Sequence, residues 1–157
     1  MATPVSLLRT DSAHPGLPGL IQQLDVYLRG IYGERMVFFD QFNGLEDIKQ
    51  VVIAYRGDEA IGCGSFKAFG SGTVELKRMF VTPAQRGRRV GSVIVSEIEH
   101  WAAELGKSRI ILETGHEMPG AVAFYARAGF ERIDNYGPFV GVEESCCYAK
   151  DVTTPEV

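Results

Sequence analysis

Three strand-like runs, followed directly by an arginine- and glycine-rich loop and a helical pattern, constrain the fold of this chain more than any other feature. The segment "QVVIAYRGDEAIGCGSFKAF" (50–69) predicts a hairpin with an Arg-Gly-Asp-Glu turn, and "GTVELKRMFV" (72–81) predicts a third strand. After the loop "QRGRRVGS" (85–92), apolar residues at helical spacing predict one buried stripe: Val90, Ile94, Ile98, Trp101 and Leu105. Gly106 is expected to end this helix.

The segments on either side continue the alternation of strands and helices. "VSLLRTD" (5–11) predicts a first strand, and a helix follows on residues at helical spacing: Leu20, Ile21, Leu24, Tyr27, Leu28 and Ile31. Residues 34–47 are aromatic and acidic and fit neither pattern. The elements expected after residue 108 are a strand at 109–114, a helix from Pro119 to Gly129, and strands at 130–137 and 145–150.

This order of elements, β–α–βββ–α–β–α–β–β, predicts the α/β fold class, with a central mixed, mostly antiparallel sheet flanked by helices. A chain of 157 residues with 45% hydrophobic content is long and apolar enough to bury one core. We therefore expect residues 1–150 to form a single domain and residues 151–157 to form a C-terminal tail.

Net charge and apolar runs exclude several classes of partner. A formal charge of −4 argues against nucleic acid or an anionic membrane as a partner of the whole surface. No run of about 18 apolar residues predicts a transmembrane helix. The three cysteines, Cys63, Cys146 and Cys147, lack the spacing of a disulfide framework, and the first residues show no leader pattern. A cytoplasmic location is therefore expected.

The loop 85–92 concentrates positive charge where a strand gives way to a helix. Backbone N–H groups at a helix N-terminus bind anions, and Gly87 and Gly91 would let a ligand approach the backbone. Arg86, Arg88 and Arg89 would add charge-assisted bonds to phosphate oxygens. The loop is neither a Walker P-loop nor a dinucleotide fingerprint. From the residues alone, a pyrophosphate site and an ordinary solvated turn both stay open.

Three motifs in succession resemble the GNAT superfamily of N-acetyltransferases over residues 50–150. They are "ELKRMFVTPAQRGRRVGSVIV", "IILETG" and "PGAVAFYARAGF". The family segment R/Q-x-x-G-x-G/A is matched by Arg86 to Gly91, with Arg89 in place of the middle glycine. The family helix pattern is matched by Ala121, Tyr125, Gly129 and Phe130, while Met118 stands where the family often has an asparagine.

The resemblance implies a single acyl-CoA-dependent N-acyltransferase domain that uses acetyl-CoA as co-substrate. The strand 75–81 would pair its edge with the pantetheine arm, and the loop would hold the pyrophosphate. The residues implied to bind the cofactor are Met79, Phe80, Val81, Arg86, Gly87, Arg88, Arg89, Val90, Gly91, Ser92 and Tyr125. A backbone N–H near Phe80 or Val81 would face the oxyanion.

The implied reaction is direct attack of an amine on the thioester, which needs an acid and a base. Tyr125 matches the family tyrosine near sulfur and would act as general acid; otherwise it is an aromatic on a buried helix face. Glu75 is the candidate general base, and the alternative is a solvated glutamate beside Lys77. Glu113 is a weaker candidate. The histidines lack metal-ligand spacing, so no metal site is expected.

The expected acceptor pocket comes from the region after the first helix and from the loop "NYGPFVGVEES" (135–145), which combine aromatic rings with carboxylates. The aromatic residues are Tyr27, Tyr32, Phe38, Phe39, Phe42, Tyr136 and Phe139, and the acids are Glu34, Asp40, Glu46, Asp47, Glu143 and Glu144. This mixture favours a small cationic amine over a peptide, although the rings could equally pack a core. A noncatalytic acyl-CoA-binding module is the alternative function, and an RNA-binding loop the third. The resemblance leaves a homodimer through the C-terminal strands open.

Overall fold

The computed structural model describes residues 3–46 and 48–152, and seven strands form one sheet in the order β1-β2-β3-β4-β5-β7-β6. The strands are β1 (Val5–Thr10), β2 (Gln50–Arg56), β3 (Glu59–Ala68), β4 (Thr73–Val81), β5 (Arg109–Gly115), β6 (Glu131–Ile133) and β7 (Ser145–Asp151). The helices are α1 (Leu17–Tyr32), α2 (Met36–Asp40), α3 (Val90–Glu104) and α4 (Pro119–Arg127). β4 and β5 run parallel, whereas β1–β2, β2–β3, β5–β7 and β6–β7 are antiparallel. The predicted α/β class with a mixed, mostly antiparallel sheet is confirmed.

The chain forms two compact units that share the strand β4. The first unit contains the described residues within Met1–Lys67 and Lys77–Ile98, and the second contains those within Ala68–Leu76 and Glu99–Val157. The two units are described separately below.

The core of the first unit is built by α1 against the hairpin β2–β3. Its buried cluster is Leu17, Leu20, Leu24, Ile48, Val51, Ile53, Cys63 and Phe80. The expected apolar face of α1 is thus correct for Leu20 and Leu24 but wrong for Tyr27, which is 40% exposed. Tyr27 lies at the edge of that face, and its ring contacts the Arg86 guanidinium, whose Cζ lies 5.2 Å from the ring centroid.

The buried face of α3 differs from the predicted stripe near its C-terminal end. Val90, Ile94 and Ile98 are buried as expected, but Leu105 is 47% exposed. Burial continues instead through Ala102, four residues after Ile98 and therefore on the same side of the helix. Leu105 follows the last helical residue, so helical spacing no longer fixes its direction.

The second unit is organised around β7, which pairs with both β5 and β6. Lys150 on β7 donates from Nζ to the carbonyl of Ala128 at 2.7 Å and forms an ion pair with Glu99, also at 2.7 Å. This bond caps the C-terminal end of α4. Asp151 belongs to β7, and the Val152 N–H donates to the Ser108 carbonyl at 2.9 Å. Residues 153–157 of the expected tail lie outside the described residues.

The segment that fitted neither pattern forms a 3₁₀ turn (Gly33–Arg35) and the short helix α2. Its rings pack as a chain, with centroids separated by 5.5 Å for Tyr32–Phe39, 5.2 Å for Phe38–Phe39 and 5.3 Å for Phe38–Phe42. Within residues 3–46 and 48–152, no helix has the length and apolar character needed to cross a bilayer.

Candidate active site

The loop between β4 and α3 turns the chain through two left-handed residues. After a 3₁₀ turn at Pro83–Gln85, Gly87 has a φ of 78° and Arg89 a φ of 65°. The Val93 N–H then donates to the Arg89 carbonyl at 3.1 Å, which is the first bond of the helical ladder. The first-turn N–H groups of Val90, Gly91 and Ser92 therefore have no intrahelical acceptor, as an anion site requires.

Arg89 occupies a backbone conformation that favours glycine. Left-handed φ values place the Cβ of an L-residue near the following carbonyl, so glycine adopts them at lower cost. The position where the family pattern has glycine therefore keeps the glycine-like backbone although it carries arginine. Arg88 and Arg89 are both exposed, so their guanidinium groups reach solvent beside the loop.

Arg86 has a different environment from the other two arginines. Its Nε donates to the Val81 carbonyl at 3.0 Å, and its Cζ lies 5.2 Å from the Tyr27 centroid and 5.6 Å from that of Phe80. These contacts hold the side chain against α1 and β4. The terminal nitrogens of Arg86 make no hydrogen bond to residues 3–46 and 48–152, so they can contact a ligand.

A pocket of about 480 Å³ opens beside Arg86 in the first unit. It is lined by Gln22, Gln23, Val26, Tyr27, Phe80, Pro83 and Arg86. The lining residues come from α1, β4 and the loop, and the described set contains one charged group, the Arg86 guanidinium. The sequence analysis named Phe80, Arg86 and Tyr27 as site candidates. It did not identify the other lining residues of α1, because nothing in their pattern indicates a binding site.

The strand residues expected beside the cofactor differ in burial. Phe80 is 6% exposed and belongs to the core cluster, whereas Met79 and Val81 are half-buried. Both glycines of β3 allow close packing of this strand, because a Cβ added at Gly64 would come within 2.9 Å of the Met79 sulfur. At Gly62 the added Cβ would lie 3.0 Å from the Phe80 carbonyl oxygen.

Arg78, which the sequence did not single out, is also left-handed, with a φ of 56°. It is 9% exposed, and its Nη2 lies 2.6 Å from Oδ1 of Asp25 on α1. The Cys63 thiol donates to the Arg78 carbonyl at 3.3 Å. Burial raises the pKa of Cys63 to about 12, despite the opposing charge of Arg78.

In the second unit, Tyr125 lies on α4 and is 6% exposed. Its ring packs edge-on against Phe124 and Phe130, with centroids 5.1 Å and 5.7 Å away. Burial raises the pKa of the Tyr125 phenol above its ordinary value. A phenol of ordinary pKa is already protonated in the neutral range, and burial favours this neutral form further; it is the protonation state that a general acid needs.

Glu75, also in the second unit, is buried and accepts a hydrogen bond from Tyr136. The Tyr136 hydroxyl lies 2.6 Å from Glu75 Oε2, and Glu75 is 4% exposed. The alternative of a solvated glutamate on the strand is therefore wrong, because β4 buries this side chain. Burial, together with the bond to Glu75, raises the pKa of Tyr136. The weaker candidate, Glu113, accepts from the Ser145 hydroxyl at 2.6 Å.

The residues expected to form the acceptor pocket separate into several groups. Phe38, Phe39 and Phe42 pack on one another in the first unit, where Asp40 lies 3.7 Å from the Arg29 guanidinium. Tyr136 belongs to the second unit and packs against Phe69 and Phe139. Asp47 lies outside the described residues. In the described part of the chain, no group of three or more His, Cys, Asp or Glu side chains could hold a metal ion.

Comparison with known proteins identifies the family. The model of the acetyltransferase (GNAT) family matches residues 19–130. The chain is 33% identical over 138 residues to an IAA acetyltransferase of Azospirillum brasilense, covering 86% of this chain and 90% of the relative.

Two solved structures share the fold. A candidate acyl-CoA N-acyltransferase from Klebsiella pneumoniae has a TM-score of 0.81 at 20% identity, covering 96% of this chain and 99% of the other. The PaiA N-acetyltransferase of Thermoplasma acidophilum, solved in complex with coenzyme A, has a TM-score of 0.68 at 14% identity, covering 94% and 99%. The fold, the extent of the family match and the coverage of the Azospirillum relative lead to one conclusion: this chain belongs to the acetyltransferase (GNAT) family.

Proposed function

We propose that this acetyltransferase moves the acetyl group of acetyl-CoA directly to a primary amine of a small cationic molecule. The observation that carries the proposal is the loop before α3, where Gly87 and Arg89 adopt left-handed φ values and the first-turn N–H groups follow. Such a loop binds phosphate oxygens through its backbone. Arg88 and Arg89 add positive charge at its rim.

The catalytic part of the proposal assigns two residues of the second unit. Tyr125 donates its proton to the leaving thiolate, since a phenol is protonated at neutral pH and burial favours that form further. Glu75 takes a proton from the attacking ammonium, directly or through water, since a free alkyl ammonium has a pKa of about 10. The Tyr136 hydroxyl fixes the Glu75 carboxylate at 2.6 Å.

The relatives support the proposed co-substrate and the proposed class of acceptor. Coenzyme A is bound in the Thermoplasma structure, which shares this fold, and the Azospirillum relative is named an IAA acetyltransferase. The pocket beside Arg86, about 480 Å³ in volume, is of a size that suits a small molecule. A noncatalytic acyl-CoA-binding module remains the alternative function.

The test combines calorimetric titration with product analysis. Acetyl-CoA is titrated into the wild type, into an Arg88→Ala/Arg89→Ala double variant and into a matched Arg29→Ala/Lys49→Ala variant that loses the same charge elsewhere. We expect only the loop variant to bind more weakly, on the order of tenfold. Equal affinity for all three proteins would show that Arg88 and Arg89 do not contribute to phosphate binding, and a wild type that does not bind acetyl-CoA would remove the phosphate site from this loop.

Product analysis then separates the enzyme from the binding module. The protein is incubated with acetyl-CoA and small primary amines, and acetylated amines are identified by mass spectrometry. Acetylated product supports the transferase. Tight binding of acetyl-CoA with no product from any amine would favour the noncatalytic module.

A further inference from the structure

We propose that Arg78 binds a carboxylate of the acceptor, so that the acceptor carries a carboxylate in addition to its primary amine. The inference rests on the proposed acetyl transfer to a primary amine and deepens it, because it replaces the small cationic acceptor by a small molecule that carries both an ammonium and a carboxylate group. It starts from a buried guanidinium with only one of its nitrogens in a hydrogen bond to the described residues. Nη2 of Arg78 contacts Asp25 at 2.6 Å, while Nε and Nη1 are buried without an acceptor in residues 3–46 and 48–152.

Buried polar groups in folded proteins are nearly always hydrogen-bonded, and each exception calls for an explanation. The cost is largest for a charged group, because burial removes its water and leaves no replacement. The Arg78 side chain is 5% exposed, so solvent does not satisfy these two nitrogens. A ligand that supplies an oxygen to Nη1 or Nε would remove the deficit.

The charge balance of the ion pair favours an anion. The Asp25 side chain is 30% exposed and is therefore partly solvated, whereas the guanidinium it contacts is buried. Water therefore screens the negative charge of Asp25 more than the positive charge of Arg78. An excess of positive charge thus remains on the inner side of the pair. A planar carboxylate with a single charge suits this place better than a phosphate dianion, which costs more to desolvate.

The backbone at Arg78 shows that this position is held at a cost. Its φ of 56° is unfavourable for a non-glycine residue, and such residues cluster at ligand-binding and catalytic sites. Arg78 therefore departs from regular strand geometry. Its side chain is nevertheless buried, like that of Phe80 two residues later. A purely structural strand position would more readily be occupied by glycine.

The same segments of α1 and β4 line the pocket beside Arg86. Gln22 and Val26 flank Asp25 on α1, and Phe80 follows Arg78 by two residues on β4. The partly exposed Asp25 side chain thus lies between two lining residues of the pocket along α1, and its partner Arg78 lies two residues before a third on β4. An acceptor with separate ammonium and carboxylate groups, as in an amino acid, fits both the proposed transfer chemistry and the Arg78 site.

The experiment compares acceptors whose carboxylate is replaced by a carboxamide, and each rate is corrected for the fraction of free amine, because amidation also lowers the pKa of the α-ammonium. L-Glutamate, L-phenylalanine, L-leucine and L-lysine are each paired with the corresponding α-carboxamide, and kcat and KM are measured with acetyl-CoA for the wild type. We expect at least one amino acid to exceed its carboxamide in kcat/KM by about tenfold, mainly through KM, because the carboxamide loses a charge-assisted bond. Equal values for all four pairs overturn the inference.

Three variants separate ligand binding from a structural role. Arg78→Met should bring the acid and carboxamide values together, Arg78→Lys should retain part of the preference, and Asp25→Asn should preserve or increase it. If Arg78→Met fails to fold, the Lys and Asn variants decide the matter. Lower thermal stability with an unchanged acid-to-amide ratio in all folded variants would mean an ion pair that is only structural.

A binding measurement keeps the outcome clear if no amine reacts. Equilibrium dialysis of the same acids and carboxamides against the wild type is then used, in the presence of coenzyme A. Preferential binding of an acid that is lost in Arg78→Lys or Arg78→Met supports the carboxylate site even if the proposed transfer fails. Absence of both product and binding overturns the inference, and acetyl-CoA titration shows separately whether the cofactor site survives.

Discussion

The hydroxyl of Tyr136 donates a hydrogen bond of 2.6 Å to Oε2 of Glu75, and Phe69 and Phe139 pack against the tyrosine ring. A buried carboxylate on a central strand is thereby held in one orientation. The bond crosses 61 residues of sequence, so it joins two parts of the second unit that are far apart along the chain. It also gives a direct way to perturb the proposed base.

Replacing Tyr136 with Phe removes this bond and leaves the aromatic packing. We expect Tyr136→Phe to lower the free energy of unfolding by about 1.5–3 kcal/mol, the range for hydrogen bonds to charged groups. Urea denaturation measures this change. Tyr148→Phe is the matched control, since Tyr148 is a buried tyrosine of β7 in the same unit. Equal loss in both variants would mean that the bond to Glu75 has no special weight.

The Tyr125→Phe substitution tests the general acid. It removes only a hydroxyl from a ring that packs on Phe124 and Phe130, so the stability should change little. We expect kcat to fall by about 10²–10⁴-fold, the usual contribution of general acid–base catalysis. Because burial raises the pKa of Tyr125, its loss of a proton should not limit the wild-type rate below about pH 10. A variant with unchanged kcat over the whole amine panel would exclude the assignment.

The backbone of Arg89 predicts opposite effects for two exchanges in one loop. Arg89→Gly should raise the free energy of unfolding by up to about 1 kcal/mol, because glycine adopts a φ of 65° without Cβ strain. Gly87→Arg, at a φ of 78°, should lower it by about 1–2 kcal/mol. Thermal unfolding of both variants tests this pair. A destabilised Arg89→Gly would show that the arginine side chain contributes more than the strain removes.

The buried thiol of Cys63 predicts a loss of stability at alkaline pH. Burial raises its pKa from 9.0 to about 12, so the unfolded chain releases the proton first as the pH increases. The contribution is fully present below pH 9.0 and is lost towards about pH 12. The free energy of unfolding should fall by up to about 1.4 kcal/mol per pH unit through this group.

Urea titrations at about pH 8 and about pH 10 measure the alkaline slope. Cys63→Ala removes the thiol, so its slope should be shallower than that of the wild type, whatever its absolute stability. Parallel slopes would mean that other groups, such as Tyr136, produce the whole effect.

The spacing of apolar residues along the chain predicted most of the strands and helices, but few of the contacts within the candidate site. Strands such as β2 and β5 are short apolar runs, and the stripe of α3 is correct through Ile98. Leu105 lies just beyond the end of α3 at Glu104, where tertiary contacts and not the helical period decide which side chain is buried. The secondary structure of segment 34–47 could not be predicted, because its aromatic residues pack on one another and follow no simple period.

The parts of the site that the sequence missed depend on contacts distant in the chain. Arg78 looks like any charged residue in a strand, and only its pairing with Asp25, 53 residues earlier, reveals the buried guanidinium. The Tyr136 bond to Glu75 is hidden for the same reason. By contrast, the glycine-like position of Arg89 was visible as a departure from the family pattern, and the left-handed φ supplies its physical meaning.

The position of β7 between β5 and β6 determines when β6 can pair during synthesis of the chain. Glu131–Ile133 pair with Cys147–Ala149 and not with the earlier β5. During synthesis from the N-terminus, β6 must therefore wait until residue 149 has been made before it can join the sheet. The hydrogen bond from Lys150 to the Ala128 carbonyl, which caps α4, likewise cannot form until residue 150 has been synthesised. Every residue of the first unit, which ends at Ile98, has therefore been synthesised before the last pairing partner of β6 exists.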